Sequence, residues 1–359
     1  MTALPSIGNT VSFFYQLSSA QQLNDSALNF LNTSASYAVC VQRGDLCLQS
    51  SHPMTLPQAN TFNSAVQPDV AVLRLFASYL SWESIRSVLL QLGTDNVFKL
   101  RVYRPHPLLS GAIELGLPHE LAVDAQTLLA EQAKQAGIEL VYLSSRPTLT
   151  VPGLLVMDMD STAIQIECID EMAMLAGVGD QVAAITRRAM NGELDFAQSL
   201  VARVATLQDA PESILHQVLS AVPLMPGLTE LVAHLQQHNW KIAIASGGFT
   251  FFTDALKQRL NLTATFANVL EIKHGRLTGK VSGDIVDANT KATVIQRLAT
   301  QYGISSGQTV AIGDGANDIP MLNAAGLGVA FHAKPKVQAQ AKAAIRSGSL
   351  LQLLYLLDS

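Results

Sequence analysis

Apolar positions recur along this chain with two different rhythms, which change over near residue 150. Val70–Phe76 is an apolar run that predicts a strand, and Trp82–Leu92, closed by Gly93, repeats its apolar positions at helical spacing. Phe98–Arg104 alternates and predicts a second strand. A short apolar piece, Ala112–Leu115, precedes a helix over Glu120–Ala136 that ends at Gly137, and Ile138–Leu143 predicts a further strand. The order is βαββαβ. Residues 1–65 are rich in Ser, Asn, Gln and Thr with scattered apolar clusters such as Val11–Tyr15. They read as an N-terminal extension in which few elements can be placed.

Ser144–Pro152 carries two prolines and reads as a linker. Beyond it, Gly153–Met157 is a wholly apolar strand that ends on Asp158. Helices are predicted over Cys168–Leu175, Asp180–Met190, Asp195–Leu207, Pro211–Val222 and Pro226–His238. A strand at Lys241–Ala245 is followed by mixed turns and strands to Asp287. Then come a helix over Thr290–Tyr302, a strand at Thr309–Ile312, a helix over Ile319–Ala325 and a strand at Leu327–Phe331. Strands alternating with helices predict a parallel sheet covered on both faces. Ligands of such sheets sit outside the carboxyl ends of the strands. Functional residues are therefore expected just after Met157, Ala245 and Ile312.

Those three places hold the chain's reactive side chains. The first reads Met157-Asp158-Met159-Asp160-Ser161-Thr162, two carboxylates leaving a buried strand one residue apart. In an extended segment they point the same way, and uncompensated burial would be costly, so a divalent cation between them is the simplest remedy. The second reads Ser246-Gly247-Gly248, a hydroxyl followed by unshielded backbone N–H groups, which suits a tetrahedral oxyanion. The third, Gly313-Asp314-Gly315-Ala316-Asn317-Asp318, adds two carboxylates and an amide, and Lys291 opens the helix before that strand.

Composition narrows the field. The 359 residues carry a net charge of −5, 48% are apolar and 14% charged, so there is material for a large core in more than one domain. No apolar run approaches the ~18 residues of a membrane span. The first basic residue is Arg43, which leaves the start without a positively charged leader. The absence of a Lys/Arg cluster speaks against a nucleic-acid partner. Three cysteines, Cys40, Cys47 and Cys168, lack CxxC spacing and imply neither a disulfide framework nor a zinc site. A soluble cytoplasmic protein is expected. Gly313-Asp314-Gly315 imitates a dinucleotide fingerprint, but Asp318 stands where the third glycine belongs and two carboxylates would repel a pyrophosphate. His234 and His238 stand four apart without the Glu of HExxH or a nearby third ligand, so they read as a solvated helix face.

With these motifs in this order, residues 150–340 resemble the haloacid dehalogenase superfamily, and within it the phosphoserine phosphatase family. The resemblance implies an α/β fold, a doubly wound parallel sheet over residues 147–359, with a helical cap inserted at about residues 167–238. It implies Mg²⁺-dependent hydrolysis of O-phosphoserine to serine, the last step of serine biosynthesis, through an aspartyl-phosphate on Asp158. Asp160 would serve as acid and base. Asp158, Asp160, Asp314 and Asp318 would form the metal shell. Ser246, Gly247, Lys291 and Asn317 would hold the phosphate. In the cap, Glu167 would take the substrate's ammonium, Arg203 its carboxylate, and Met190 and Phe196 its apolar surroundings. Independently of the resemblance, Phe196, Leu200 and Arg203 share one helix face, and an arginine on an apolar stripe wants an anion.

The βαββαβ order over residues 66–146 is the split arrangement of ferredoxin-like α+β domains and resembles the ACT-like modules that bind amino acids and pair as homodimers. A scaffold without a ligand is equally open there. Two other readings of the whole chain stand beside the main one. One is a phosphatase or phosphotransferase of the same superfamily acting on a different small phosphomonoester. The other is an amino-acid-binding regulatory protein, which the intact catalytic set speaks against.

Overall fold

The computed structural model describes residues 13–18, 20–31, 35–56, 69–93 and 96–358. The chain divides into two compact units, one of residues up to Ser144 together with Leu354–Leu356, the other of Ser145–Leu353 and Leu357 onward. Among the described residues no helix is long and apolar enough to cross a membrane.

The N-terminal unit contains β1 (Phe13–Leu17), α1 (Ala20–Asn24), β2 (Ser36–Gln42), β3 (Asp45–Ser50), β4 (Ala71–Phe76), α2 (Trp82–Leu92), β5 (Phe98–Tyr103), β6 (Ala112–Leu117), α3 (Val123–Gln135) and β7 (Glu139–Leu143). Its strands form one antiparallel sheet in the order β1-β3-β2-β5-β6-β4-β7. Within it, β5-β6-β4-β7 is the ferredoxin-like order expected from the βαββαβ pattern. The expectation for residues 1–65 is corrected: β1, β2 and β3 extend this same sheet by three strands. The β2–β3 hairpin turns on Arg43 and Gly44, both at positive φ, a two-residue turn matched to strand twist. That signal lies in an Arg-Gly pair rather than the usual Asn-Gly. The first two residues of the apolar cluster Val11–Tyr15 lie outside the described residues.

Alternation in β4 sends Leu73 and Leu75 to the helix-covered core and Arg74 to the other face, where it is fully buried. Arg74 Nε donates to Glu114 Oε2 at 2.8 Å, Arg101 Nε donates to Glu114 Oε1 at 2.6 Å, and Arg74 Nη1 donates to the Tyr355 carbonyl at 2.9 Å. Tyr355 also stacks on Phe76, with centroids 4.4 Å apart. These contacts explain why Leu354–Leu356 belong to this unit, against the expectation that everything after residue 147 is one domain.

The second unit contains β8 (Leu154–Met157), α4 (Cys168–Leu175), α5 (Gly179–Met190), α6 (Phe196–Ala205), α7 (Ser213–Ala221), α8 (Leu228–Gln237), β9 (Lys241–Phe249), α9 (Thr250–Leu260), β10 (Ala264–Lys273), β11 (Arg276–Ser282), α10 (Ala288–Tyr302), β12 (Thr309–Gly313), α11 (Ile319–Ala324), β13 (Leu327–Phe331) and, after a short helix, β14 (Ala343–Ile345). The sheet order is β11-β10-β9-β8-β12-β13-β14, parallel except for β11. β8 is buried throughout, as a central parallel strand must be. Helices α4 to α7 pack on one another, while α8 packs against β9. The cap therefore ends near residue 221, short of 238. The stretch expected to hold only turns and strands contains α9, whose buried Phe252, Leu256 and Leu260 recur every fourth residue behind a β-prone Thr-Phe-Phe-Thr opening. The supposed linker is fastened down: Gln308 bonds Thr148 N–H and carbonyl at 2.7 and 2.8 Å, and Asp358 pairs with Pro147 and Leu149.

Burial pushes the Glu114 carboxyl up, but the Arg101 hydrogen bond and the Arg74 charge outweigh it and hold it below its ordinary value. Glu114→Gln is expected to destabilise the N-terminal unit by about 3 kcal/mol at neutral pH, read as faster amide exchange in β4 and β6. The unfolded chain takes up the proton first as pH falls. The stabilisation is therefore complete above about pH 4.3, the unfolded value, and is lost as pH drops through the lower folded one. The gap between wild type and variant should shrink below about pH 4; a pH-independent gap contradicts the assignment.

Candidate active site

Strand register assembles the site. Met157 of β8 pairs with Ile244 of β9 on one side and Ile312 of β12 on the other. The ladder runs one residue further, Asp158 N–H donating to the Ile312 carbonyl at 3.0 Å. Asp158 is thus fixed at the carboxyl edge of the sheet, with Ser246 and Asp314 each one step beyond on its neighbours. After Asp158 the chain leaves the extended conformation, and Ser161 reaches φ 55°. Asp160 therefore reaches the same cavity through a turn, not through strand alternation as the sequence suggested.

A buried ammonium sits at the centre. Lys291, in the first turn of α10 and 1% exposed, places Nζ 2.9 Å from Asp158 Oδ1 and 2.8 Å from Asp318 Oδ1. Asp158 Oδ1 also accepts the Met159 N–H at 2.8 Å, so both contacts fall on one oxygen and leave Oδ2 to other partners. Asp318 Oδ2 accepts from Gly315 N–H at 2.9 Å, which folds the Gly315–Asp318 loop onto its own last side chain. Asp314 Oδ1 accepts from the Thr162 hydroxyl at 3.0 Å. Asp160 Oδ1 accepts the Cys168 N–H at 3.0 Å, the first amide of α4, where a helix presents partial positive charge.

The electrostatics follow from this crowding. Burial and the charge of Asp318 raise the Asp158 carboxyl well above the usual range, against the pull of Lys291. Burial and Asp318 lift Asp314 to about 6, against its Thr162 bond. Burial and the charge of Glu167 lift Asp160 to about 7, against the Cys168 amide, which suits a group that gives and takes a proton near neutrality. Burial alone would weaken the Lys291 ammonium, but Asp158 and Asp318 hold it firmly protonated. One oxygen each of Asp158, Asp314 and Asp318 lies within 4.8 Å of the others. Three desolvated carboxylates, all hard oxygen donors, with a single buried ammonium among them, fit a small divalent cation. Among the described residues this is the group of three or more metal-capable side chains that converges. His234 and His238 are not in it.

A cavity of about 400 Å³ opens from the sheet edge into the cap. Its walls include Asp158, Asp160, Ser246, Gly247, Asp314 and Asn317 from the core, and Glu167, Met190, Phe196 and Arg203 from the cap. Lys291 and Asp318 lie behind that wall, Lys291 meeting it at Asp158 and Asp318 at Gly315. Glu167 accepts from the Ser161 hydroxyl at 2.8 Å; desolvation by the surrounding protein and the nearby Asp170 raise its carboxyl. Arg203 donates from Nε to the Ser199 carbonyl at 3.4 Å, and burial weakens its proton affinity against the charges of Asp170 and Glu167. Met190, 68% exposed, edges the cavity rather than lying in it.

The glycines of the Ser246 loop are required by contact. A Cβ on Gly247 would stand 2.5 Å from Phe196 Cζ, and one on Gly248 would stand 2.7 Å from Asp160 Oδ2. The loop is braced from behind by Asn268, fully buried, which donates to the Gly247 carbonyl and accepts from Val286 N–H, both at 2.8 Å. Sequence reasoning missed Asn268, Thr162 and the Cys168 amide. Thr162 could have been suspected from its place in Asp-x-Asp-Ser-Thr; Asn268 carries no local signal.

Comparisons with known proteins agree with this architecture. The haloacid dehalogenase-like hydrolase model matches residues 152–326. The phosphoserine phosphatase of Vibrio cholerae is 56% identical over 231 residues, 64% of this chain and 69% of that protein. That of Haemophilus influenzae is 58% identical over 222 residues, 62% of this chain and 71% of that protein. The crystal structure of a probable phosphoserine phosphatase from Vibrio cholerae, unliganded, aligns with a TM-score of 0.67 at 46% identity, covering 80% of this chain and 86% of that one. The chain belongs to the haloacid dehalogenase-like hydrolases, and within them to the phosphoserine phosphatase family.

Gly247→Ala is expected to leave the fold intact while pushing the Phe196 ring and its helix off the phosphate loop, lowering kcat/KM at least about 100-fold. Adding Phe196→Ala should relieve the clash and recover part of that loss. Full activity in Gly247→Ala alone would mean that the ring and the loop do not meet in the working enzyme.

Proposed function

We propose that this chain is a Mg²⁺-dependent phosphoserine phosphatase, hydrolysing O-phospho-L-serine to L-serine and phosphate as the closing step of serine synthesis. The observation that carries this reading is the meeting of two chemistries in one cavity. Carboxylates and an oxyanion loop stand at the sheet edge, and an acid and a base, Glu167 and Arg203, face them from the cap. A zwitterionic amino-acid ester of phosphate calls for that combination.

Asp158 attacks phosphorus through a carboxylate oxygen, and the bond from phosphorus to the serine oxygen breaks. Asp160, placed to hold a proton near neutral pH, delivers it to the departing alkoxide. It then accepts a proton from a water that attacks the aspartyl-phosphate, freeing phosphate and restoring Asp158. Ser246, the Gly247 N–H, Lys291 and Asn317 hold the non-bridging oxygens. Glu167 receives the ammonium and Arg203 the carboxylate as a planar fork. Phe196 and Met190 supply apolar cover. Asp158, Asp314 and Asp318, with the Asp160 carbonyl, would hold the cation, which screens the anionic nucleophile from the anionic phosphate. Three buried cysteines without a disulfide suit work in a reducing cytoplasm.

Asp158→Asn tests the chemistry directly. The amide keeps shape and burial but removes the nucleophile, so turnover should fall at least about 10⁴-fold with the fold preserved, and no acid-stable, hydroxylamine-sensitive phosphoprotein should form. Near-normal turnover in that variant would overturn the nucleophile assignment.

A further inference from the structure

Helix α5 turns one face to the cavity, carrying Thr186, Ala189 and Met190 at i, i+3 and i+4. The Oγ1 of Thr186 is buried and has no hydrogen-bond partner. A helical threonine normally has an acceptor at hand in the carbonyl one turn earlier. Thr127 uses it, donating to the Val123 carbonyl at 3.0 Å, and Thr293 donates to Asn289 in the same way at 3.0 Å. Thr186 does not use the Val182 carbonyl. A buried hydroxyl left unsatisfied is uncommon in native proteins, and one in the wall of a reaction cavity calls for an explanation.

Its place along the wall narrows what it could meet. Helices α5 and α6 pack together and are joined by only residues 191–195, a connection short enough to make them antiparallel neighbours. One turn back from Met190 along α5 is therefore level with one turn forward from Phe196 along α6, at Ser199 and Leu200, with Arg203 a turn beyond. Thr186, Ser199, Leu200 and Arg203 all line this cavity, and the pairing of the two helices puts the hydroxyl on the stretch of wall next to Arg203. Arg203 has already committed Nε to the Ser199 carbonyl, whereas a carboxylate offers about four acceptor sites, more than the remaining guanidinium nitrogens fill in one plane.

We propose that Thr186 is a specificity-determining residue whose hydroxyl donates to the substrate's α-carboxylate beside Arg203. This rests on the phosphoserine reading above. It explains the missing bond: the donor is held back in the free protein and satisfied by the amino-acid end of the substrate. The phosphate chemistry at the sheet edge does not depend on it.

The test compares Thr186→Val, which keeps the shape and removes the hydroxyl, with Thr186→Ser, which keeps the hydroxyl. Each is assayed on O-phospho-L-serine and on O-phosphoethanolamine, which retains ammonium and phosphate but lacks the carboxylate. The expected result is a KM for phosphoserine raised about tenfold in Thr186→Val with kcat little changed, the size of one hydrogen bond to a charged group. Loss on phosphoethanolamine should stay under about threefold, and Thr186→Ser should stay close to wild type on both. Because the hydroxyl makes no bond in the free protein, the thermal midpoint of Thr186→Val should not fall. An unchanged KM for phosphoserine, equal losses on the two substrates, or a clear drop in the midpoint would each overturn the proposal. A wild type that fails to prefer phosphoserine over phosphoethanolamine would bring down the substrate reading and this proposal with it. Preference in the wild type with no effect in Thr186→Val overturns the proposal alone.

Discussion

The buried ammonium of Lys291 between Asp158 and Asp318 is the contact on which the catalytic unit depends. Asp158, Asp160, Asp314 and Asp318 follow β8 and β12, two central strands buried throughout, at the carboxyl edge of the sheet. Without positive charge their mutual repulsion would add to the cost of removing each from water. One lysine, itself unaffordable in that interior unless paired, offsets part of this. It also ties α10 to the ends of β8 and of the loop after β12, so the charges and the helix fix one another's positions. The remaining imbalance is still negative, and it is what makes the cluster a seat for a divalent cation.

That constraint separates the labour of the two layers. The core edge gathers backbone amides, a serine and a lysine, braced by buried groups such as Asn268 and Thr162. The cap adds Glu167, just before α4, and Arg203, on α6, as opposite charges on the same cavity. Phe196 presses against Gly247 with no room for a methyl group between them, so the cap and the Ser246 loop are in direct contact.

Most of this site could be read from the sequence because each catalytic group follows a strand whose apolar run is unmistakable. Strand ends are where a parallel sheet exposes its residues, so Asp158, Ser246 and Asp314 declared themselves by position as well as by type. Lys291 was legible as an isolated lysine at the start of the helix before β12; the apolar face it shares with Val294, Ile295 and Leu298 is seen in the structure. What escaped was set by tertiary contact. Asn268 lies far from any motif and acts through the back of a loop. The turn that carries Asp160 depends on Ser161 adopting a left-handed conformation that nothing in its identity demands. In the N-terminal unit, β1, β2 and β3 are short, largely apolar runs, hidden by the Ser-, Asn- and Gln-rich segments between and around them. Arg74 likewise reads as an outward-facing residue until Glu114 and the Tyr355 carbonyl are seen around it.

The most direct test of the account is phosphate release by the wild-type protein from O-phospho-L-serine, beside O-phosphothreonine and a neutral aryl phosphate, with Mg²⁺ and then with EDTA. Turnover that depends on Mg²⁺ and strongly prefers phosphoserine is the predicted result. It would tie the carboxylate cluster to the cation and the Glu167–Arg203 pair to the amino-acid end of the substrate. Turnover of phosphoserine undiminished by EDTA, or an aryl phosphate hydrolysed as readily as phosphoserine, would contradict it.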